Sequence, residues 1–376
     1  MNRRQFVARL GLGGVVAAAA GCGQSAGSGG TSAPAPTAAA GAASQGNALL
    51  AAAQKEGRVL VYSATDSAAA APLIADFGTL YPGVRIDYSD LNSTEIYNKY
   101  TAEFASGADS ADFVWSSAMD LQFKLASDGM ALTYKSPEAA RLPEGAVWQD
   151  QAFATTLEPF ALVSNQRGLG EVTLNDHGDV INLLKDKAEL LKGKVTTYDP
   201  EKSGTGFLAL TQDVRNVPAF WELADALGKL SPQLQTSTGT MIEKVASGEH
   251  LFGYDIIGSY VLAKSKQDPN VGLGLLKDVT NALSRIAFIG KNSKRPNAAK
   301  LWLNYLLSKR GQDTLAQKSL LHAIRPDAEG EATAAALQKA LGAALKPIKV
   351  GPDLLQALDQ NKRLEFFQRW NKALGR

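Results

Sequence analysis

Between Arg58 and Trp115 the chain changes hydrophobic period four times, and this alternation restricts its folds more than any other feature. Arg58–Ser63 (Arg-Val-Leu-Val-Tyr-Ser) reads as a buried strand, and Ala68–Tyr81 carries Leu73, Ile74, Phe77, Leu80 and Tyr81 at helical spacing. Pro82-Gly83 stops that helix, Val84–Tyr88 alternates as a second strand, and Ser93–Phe104 reads as a helix with Ser93 or Thr94 as cap. Ala111–Trp115 is a third strand. Strand, helix, strand, helix, strand predicts a parallel sheet covered by helices.

The pattern begins again further on. Lys194–Tyr198 is a strand closed by Asp199-Pro200, Ser203-Gly204-Thr205-Gly206 opens a helix to about Val214, and Leu251–Ile257 is another strand. Two α/β lobes follow. Phe153–Ser164, interrupted by Pro159, and Leu283–Ile289 are β-prone runs placed to cross between the lobes, which is how a hinge is built. Ala298–Leu307, with Leu301, Trp302, Tyr305 and Leu306 on one stripe, predicts a core helix.

The amino terminus points to export. Arg3-Arg4-Gln5-Phe6 precedes an uncharged run from Leu10 to Ala20 and the small residues Ala19-Ala20-Gly21-Cys22, the layout of a secretory signal. Its arginine pair resembles a twin-arginine signal, with an ordinary secretory signal as the alternative. Cys22 is the only cysteine, so no internal disulfide can form, and Ala-Ala-Gly-Cys resembles a bacterial lipobox with Ala19 where Leu is favoured. Lipid attachment at Cys22 would anchor the protein to a membrane. Residues 23–46 contain only Gly, Ala, Ser, Thr, Pro and Gln, with no charged, aromatic or branched aliphatic group, which predicts a disordered tether with a reach of about 27 Å.

The 39 lysines and arginines, less Arg3, Arg4 and Arg9 of the signal, leave 36 against 37 acidic residues. No basic block interleaved with aromatics appears, so nucleic acid is not an expected partner. No Gly-x-Ser-x-Gly, no His-Glu-x-x-His and no complete phosphate loop occurs, and an enzyme is not expected.

Several marks occur in order: Val61-Tyr62-Ser63-Ala64-Thr65-Asp66, Phe77 with Tyr81-Pro82-Gly83, Glu103, Ala111-Asp112-Phe113-Val114-Trp115-Ser116-Ser117, Ser203–Gly206, Gly248-Glu249 with Gly253-Tyr254, and Pro296-Asn297-Ala298-Ala299. Together they resemble the periplasmic solute-binding proteins of ABC importers, in the group that binds ferric ion, phosphonates and sugar phosphates. The resemblance implies a two-lobed periplasmic-binding-protein fold of α/β class, type II-like, each lobe a mainly parallel sheet flanked by helices. The expected division is residues 47–158 with about 280–325 as lobe 1, 159–279 as lobe 2, and 326–376 as carboxyl-terminal helices packing on both. It implies a monomer in the periplasm or at the cell surface that closes on one solute and docks on a membrane permease, with no cofactor.

Ligands of open α/β sheets sit beyond the carboxyl ends of strands, where helix amides are unpaired. Ser63, Thr65, Asp66, Ser116 and Ser117 fall there in the first lobe, and Ser203, Gly204, Thr205 and Gly206 in the second. Thr155 and Thr156 lie in a crossing, and Tyr254 and Asp255 close the last strand region. Each also has a purely structural reading, as helix cap, β-former or core tyrosine. An anionic solute, a phosphate ester, phosphonate or carboxylate, is the expected ligand. The group's iron binders resemble one another in an adjacent tyrosine pair plus a histidine and a carboxylate. Here the pair position reads Tyr254-Asp255, and His177, His250 and His322 have no metal-ligand spacing. Ferric ion on Tyr254, Asp255 and Tyr260 is therefore the alternative, and an exported enzyme or protein-binding lipoprotein a remoter one.

Overall fold

The computed structural model describes residues 37–376. Cys22, the signal and residues 23–36 lie outside the described residues. Thr37–Glu56 is helical, so residues 37–46, expected within the tether, belong instead to an alanine-rich helix, alanine being the best helix former. Its far end is fixed to the body: Ala53 is buried, and the Glu56 carboxylate accepts from the amides of Asn297 (3.2 Å) and Ala298 (2.7 Å), capping the helix Pro296–Leu307.

Thirteen strands are described, numbered in chain order: β1 Arg58–Ser63, β2 Arg85–Asp90, β3 Phe113–Ser116, β4 Val147–Trp148, β5 Ala152–Ala154, β6 Glu158–Asn165, β7 Val195–Tyr198, β8 Gln233–Gln235, β9 Phe252–Ile257, β10 Val271–Gly274, β11 Thr280–Leu283, β12 Ile286–Ile289 and β13 Leu345–Pro347. They form two sheets, β2-β1-β3-β12-β5-β4 and β13-β11-β6-β9-β7-β8, with β10 added beside β6. β1 runs parallel to β2 and β3, and β7 parallel to β8 and β9. Every antiparallel pairing involves β5, β6, β11 or β12, the strands that flank the passage between sheets. The sheets are therefore mixed, each a parallel βαβ set closed by crossing strands.

The chain changes sheets at Thr155–Leu157 and at Ser284–Arg285, inside the two β-prone runs, and a third time between β12 and β13, beyond the two crossings expected. Thr280–Leu283, assigned above to lobe 1, pairs with β6 and so belongs to the second sheet. Pro159 does not break β6, because it sits at the start of that strand. The helix Ser93–Ser106 is capped by Asn92, whose Oδ1 accepts from the Thr94 amide (2.9 Å), rather than by Ser93 or Thr94.

The first core joins Phe77 of the helix Ser67–Leu80 to Trp302 and Tyr305, ring centroids 5.1 and 5.5 Å away. The second gathers Phe207, Phe220 and Leu227 with Phe366 and Trp370 of the last helix, Gln360–Ala373. Gly228 makes that docking possible, since a Cβ there would overlap the Ala373 carbonyl. Among the described residues, no helix is long and apolar enough to cross a membrane.

Candidate functional site

Each βαβ unit aims a helix amino terminus beyond its strand ends, and four of these meet at one cavity. Ser67–Leu80 and Ser93–Ser106 follow β1 and β2; Gly204–Asn216 and Thr238–Ser247 follow β7 and β8. The cavity, about 150 Å³, is lined from the first lobe by Ala64, Asp66, Asp90, Leu91, Asn92, Ser93 and Ser117, and from the second by Tyr198, Thr205, Thr236, Ser237, Thr238, Ile257 and Tyr260. Aligned peptide dipoles place about half a positive charge at each helix start, so two helices per lobe draw negative charge to the space, while the carboxylates of Asp66 and Asp90 in the same lining act against it. The lining has no Lys, Arg or His. Caps hold the helix starts in place: the Asp90 carboxylate accepts from the Ser67 amide (2.8 Å), Ser203 Oγ from Gly206 (3.2 Å) and Ser237 Oγ from Thr240 (3.4 Å).

The lobes touch along the cavity's edge. Ser117 Oγ and Thr205 Oγ1 share a hydrogen bond (2.8 Å), the Thr205 amide donates to Ser93 Oγ (3.3 Å), and the Gly204 amide donates to Thr94 Oγ1 (3.0 Å). Asn92 Nδ2 donates to the Thr236 carbonyl (3.3 Å), and the Asp66 amide donates to the Tyr260 hydroxyl (3.1 Å). Gly204 permits this approach, because a Cβ on it would lie 2.6 Å from Leu121 Cδ1 and 3.1 Å from Ala118 Cβ. The arrangement is the closed form of a two-lobed cleft.

Under the cavity lies the hinge. Arg285, fully buried in the second crossing, donates from Nε to Glu158 Oε1 (2.7 Å) and from a terminal nitrogen to Oε2 (3.2 Å), joining the two crossings by a fork-to-fork pair. Its other terminal nitrogen donates to Thr65 Oγ1 (3.0 Å) and the Ala64 carbonyl (3.2 Å). Burial raises the Asp66 carboxyl above its ordinary range, while nearby Arg285 opposes the rise. Burial also raises the Tyr198 and Tyr260 phenols, keeping both protonated.

Of the residues singled out in the sequence, Asp66, Ser117, Thr205 and Tyr260 line the cavity. Gly204 meets the opposite lobe beside it. Ser63, Ser116, Ser203 and Gly206 shape it from behind: Ser63 Oγ accepts from the Thr65 amide (3.0 Å), Ser116 Oγ from the Ala118 amide (3.3 Å), and Gly206 packs on the Tyr198 ring. Thr65, Thr155 and Thr156 belong to the hinge; Thr155 Oγ1 accepts from Trp115 Nε1 (2.8 Å), and Thr156 Oγ1 donates to Glu158 (2.8 Å).

Tyr254 and Asp255 are elsewhere, buried inside the second lobe. The Tyr254 hydroxyl donates to Asp213, which also accepts from Asn281 Nδ2 (2.7 Å). Asp255 sits at φ +61° with Oδ2 unpartnered, and burial, then the charge of Asp213, holds its carboxyl well above the usual range. The alternative iron set of Tyr254, Asp255 and Tyr260 is thus divided between two places. Among the described residues, no three or more His, Cys, Asp or Glu are grouped to hold a metal. Asp90, Asn92, Ser93, Tyr198 and Thr236–Thr238 were missed. Their signal was present: Asn-Ser-Thr and Thr-Ser-Thr-Gly-Thr each follow a strand and open a helix.

The family description "Bacterial extracellular solute-binding protein" matches residues 72–341. The substrate-binding protein of an ABC transporter from Agrobacterium tumefaciens is 34% identical, covering 84% of this chain and 94% of that one, with a TM-score of 0.81. The periplasmic binding protein AfuA of Actinobacillus pleuropneumoniae, solved with fructose-6-phosphate, is 20% identical over 85% of this chain and 99% of that one, at TM-score 0.66. Iron-bound HitA of Pseudomonas aeruginosa is 18% identical over 84% and 99%, at 0.65. No curated protein matches. A two-lobed α/β body closed over a polar cleft, with this match over most of its length, belongs to the bacterial extracellular solute-binding proteins, the family that serves ABC importers.

Proposed function

We propose that the cleft captures a small anionic solute and that the closed protein delivers it to an ABC permease. The observation that carries this reading is the convergence of four helix amino termini, two from each lobe, on one cavity. Only closure brings all four together, so an anion bound there shifts the open and closed populations toward the closed form. A cavity of about 150 Å³ suits a molecule of roughly benzene's bulk, which favours a small phosphonate, phosphate ester or short carboxylate over a hexose phosphate. Asp66 and the hydroxyls of Ser93, Ser117 and Thr205 add partners for a donor group on the same solute.

The candidate residues are Asp66, Ser93, Ser117, Tyr198, Thr205, Thr238 and Tyr260. Ferric ion would have to use Tyr198, Tyr260, Asp66 and Asp90, a set with neither an adjacent tyrosine pair nor a histidine. At the amino terminus, we read Cys22 as lipidated and the arginine pair as an export signal, so that the protein works on a tether at the membrane. Mass spectrometry of the membrane fraction tests this; an unmodified amino terminus would exclude the anchor.

The ligand test is thermal unfolding with phosphate, small phosphonates, sugar phosphates, citrate and ferric citrate. A ligand at 100 times its Kd stabilises by about 2.7 kcal/mol, a shift of several degrees. A shift with a small phosphonate or phosphate compound supports the reading, and a shift with ferric citrate but not with citrate replaces it by iron.

A further inference from the structure

A larger groove lies away from the cleft, where the carboxyl-terminal tail packs beside the helix Gly204–Asn216. Its volume is about 460 Å³, against about 150 Å³ for the cleft cavity. That is within the range of small-molecule sites, roughly 300–1,000 Å³. Leu208, Trp221 and Phe366 supply apolar surface, and Arg215 and Asp353 at the rim face each other at 3.5 Å. Asp120 of the helix Met119–Leu125 lines this groove and also a neighbouring cavity of about 210 Å³.

Asp120 is only 1% exposed, and its use is unexplained by the fold. Oδ1 accepts from the adjacent Leu121 amide (2.9 Å), while Oδ2 has no hydrogen-bond partner. A buried carboxylate oxygen without a donor is costly to keep, and such groups point to a missing partner. Burial pushes the carboxyl up to about 7, a rise that a cation seated on it would reverse. The other charges facing the two cavities, Arg215, Lys362, Arg363, Arg369, Asp353, Glu365 and Glu201, are exposed and make no hydrogen bond or ion pair to Asp120, although the charge of Arg363 acts weakly against the rise.

We propose that this groove is a second small-molecule site, for a compound with an apolar body and a protonated amine, the amine on Asp120 and the body against Leu208, Trp221 and Phe366. Asp120 belongs to the first lobe, while Leu208 and Trp221 belong to the second. Occupancy therefore favours the closed form, and by linkage a groove ligand and a cleft ligand strengthen one another.

The test is fluorine NMR titration of the whole protein with fluorophenethylamine and, in parallel, fluorophenylpropanoate, which carries a carboxylate in place of the amine. The amine should bind saturably at millimolar concentration or below, and the carboxylate at least tenfold more weakly. Asp120→Asn should weaken the amine about tenfold or more, the loss expected for a hydrogen bond between charged groups. Ala357→Trp, which fills the groove, should abolish binding. No saturable binding of the amine, equal binding of both compounds, or an Asp120→Asn protein that binds like wild type would overturn the proposal. Should Asp120→Asn fail to fold, the two probes on the unmodified protein still decide, because they differ only in the group meant for Asp120.

Discussion

The cleft and the cluster buried behind it use the same residue types to opposite ends. Tyr198, Tyr260, Asp66 and Asp90 line a cavity to which both lobes contribute. Tyr254, Asp255 and Asp213 sit within the second lobe, where Asp213 accepts from both Tyr254 and Asn281 and its charge acts on the buried Asp255 carboxyl. Opening the lobes would expose the first group to water and leave the second untouched. On the proposed function, a site is marked by placement at helix starts where the two lobes meet, and not by the presence of tyrosines beside carboxylates.

The largest expected effect is at the hinge, which Arg285 ties to the cleft through Thr65 and Ala64 and not to the buried cluster. Glu158→Gln leaves Arg285 buried without its counter-charge and should cost about 3–5 kcal/mol of folding stability, read by denaturant unfolding. Next is Gly204→Val. The added side chain collides with Leu121 and Ala118 only when the lobes meet, so a typical overpacking cost of about 1–3 kcal/mol should fall on the closed form and lower solute affinity roughly 5- to 150-fold. Calorimetric titration with the best ligand checks it, alongside a melting temperature for the ligand-free protein that should not fall. Ser117→Ala removes one hydroxyl of the Ser117–Thr205 bridge and should cost about 1 kcal/mol of affinity.

The buried cluster responds to pH rather than to solute. Because the folded protein holds the Asp255 carboxyl well above its unfolded value, its contribution to stability is full below the unfolded value and is lost as pH rises through the folded one. Unfolding followed from acid to alkaline pH should show this decline, and Asp255→Asn should flatten it without changing solute affinity. A loss of affinity in Asp255→Asn would show that the cluster and the cleft are one site after all.

The βαβ alternation was legible because strand and helix periods differ and the runs are long; β1, β3, β7 and β9 lie where the pattern put them. The crossings were legible as β-prone runs, but their sheet membership was not, since Thr280–Leu283 looks alike whichever neighbour it pairs with. At the site, Thr205 and Asp66 were found because they follow strands. Tyr254 and Asp255 lie in the middle of β9 rather than beyond its end, and they are buried in the lobe interior; the direction of a side chain at one strand position depends on a register fixed by distant partners. Arg285 was invisible for the same reason: its partner Glu158 is on the other crossing.

Small-angle scattering of wild type and Gly204→Val, with and without a small phosphonate such as aminoethylphosphonate, tests the central claim most directly. The account predicts that the phosphonate gives wild type the smaller radius of gyration of a closed cleft and leaves the variant open. Equal compaction of both proteins, or tight binding with no compaction of either, would contradict closure of two lobes on an anion.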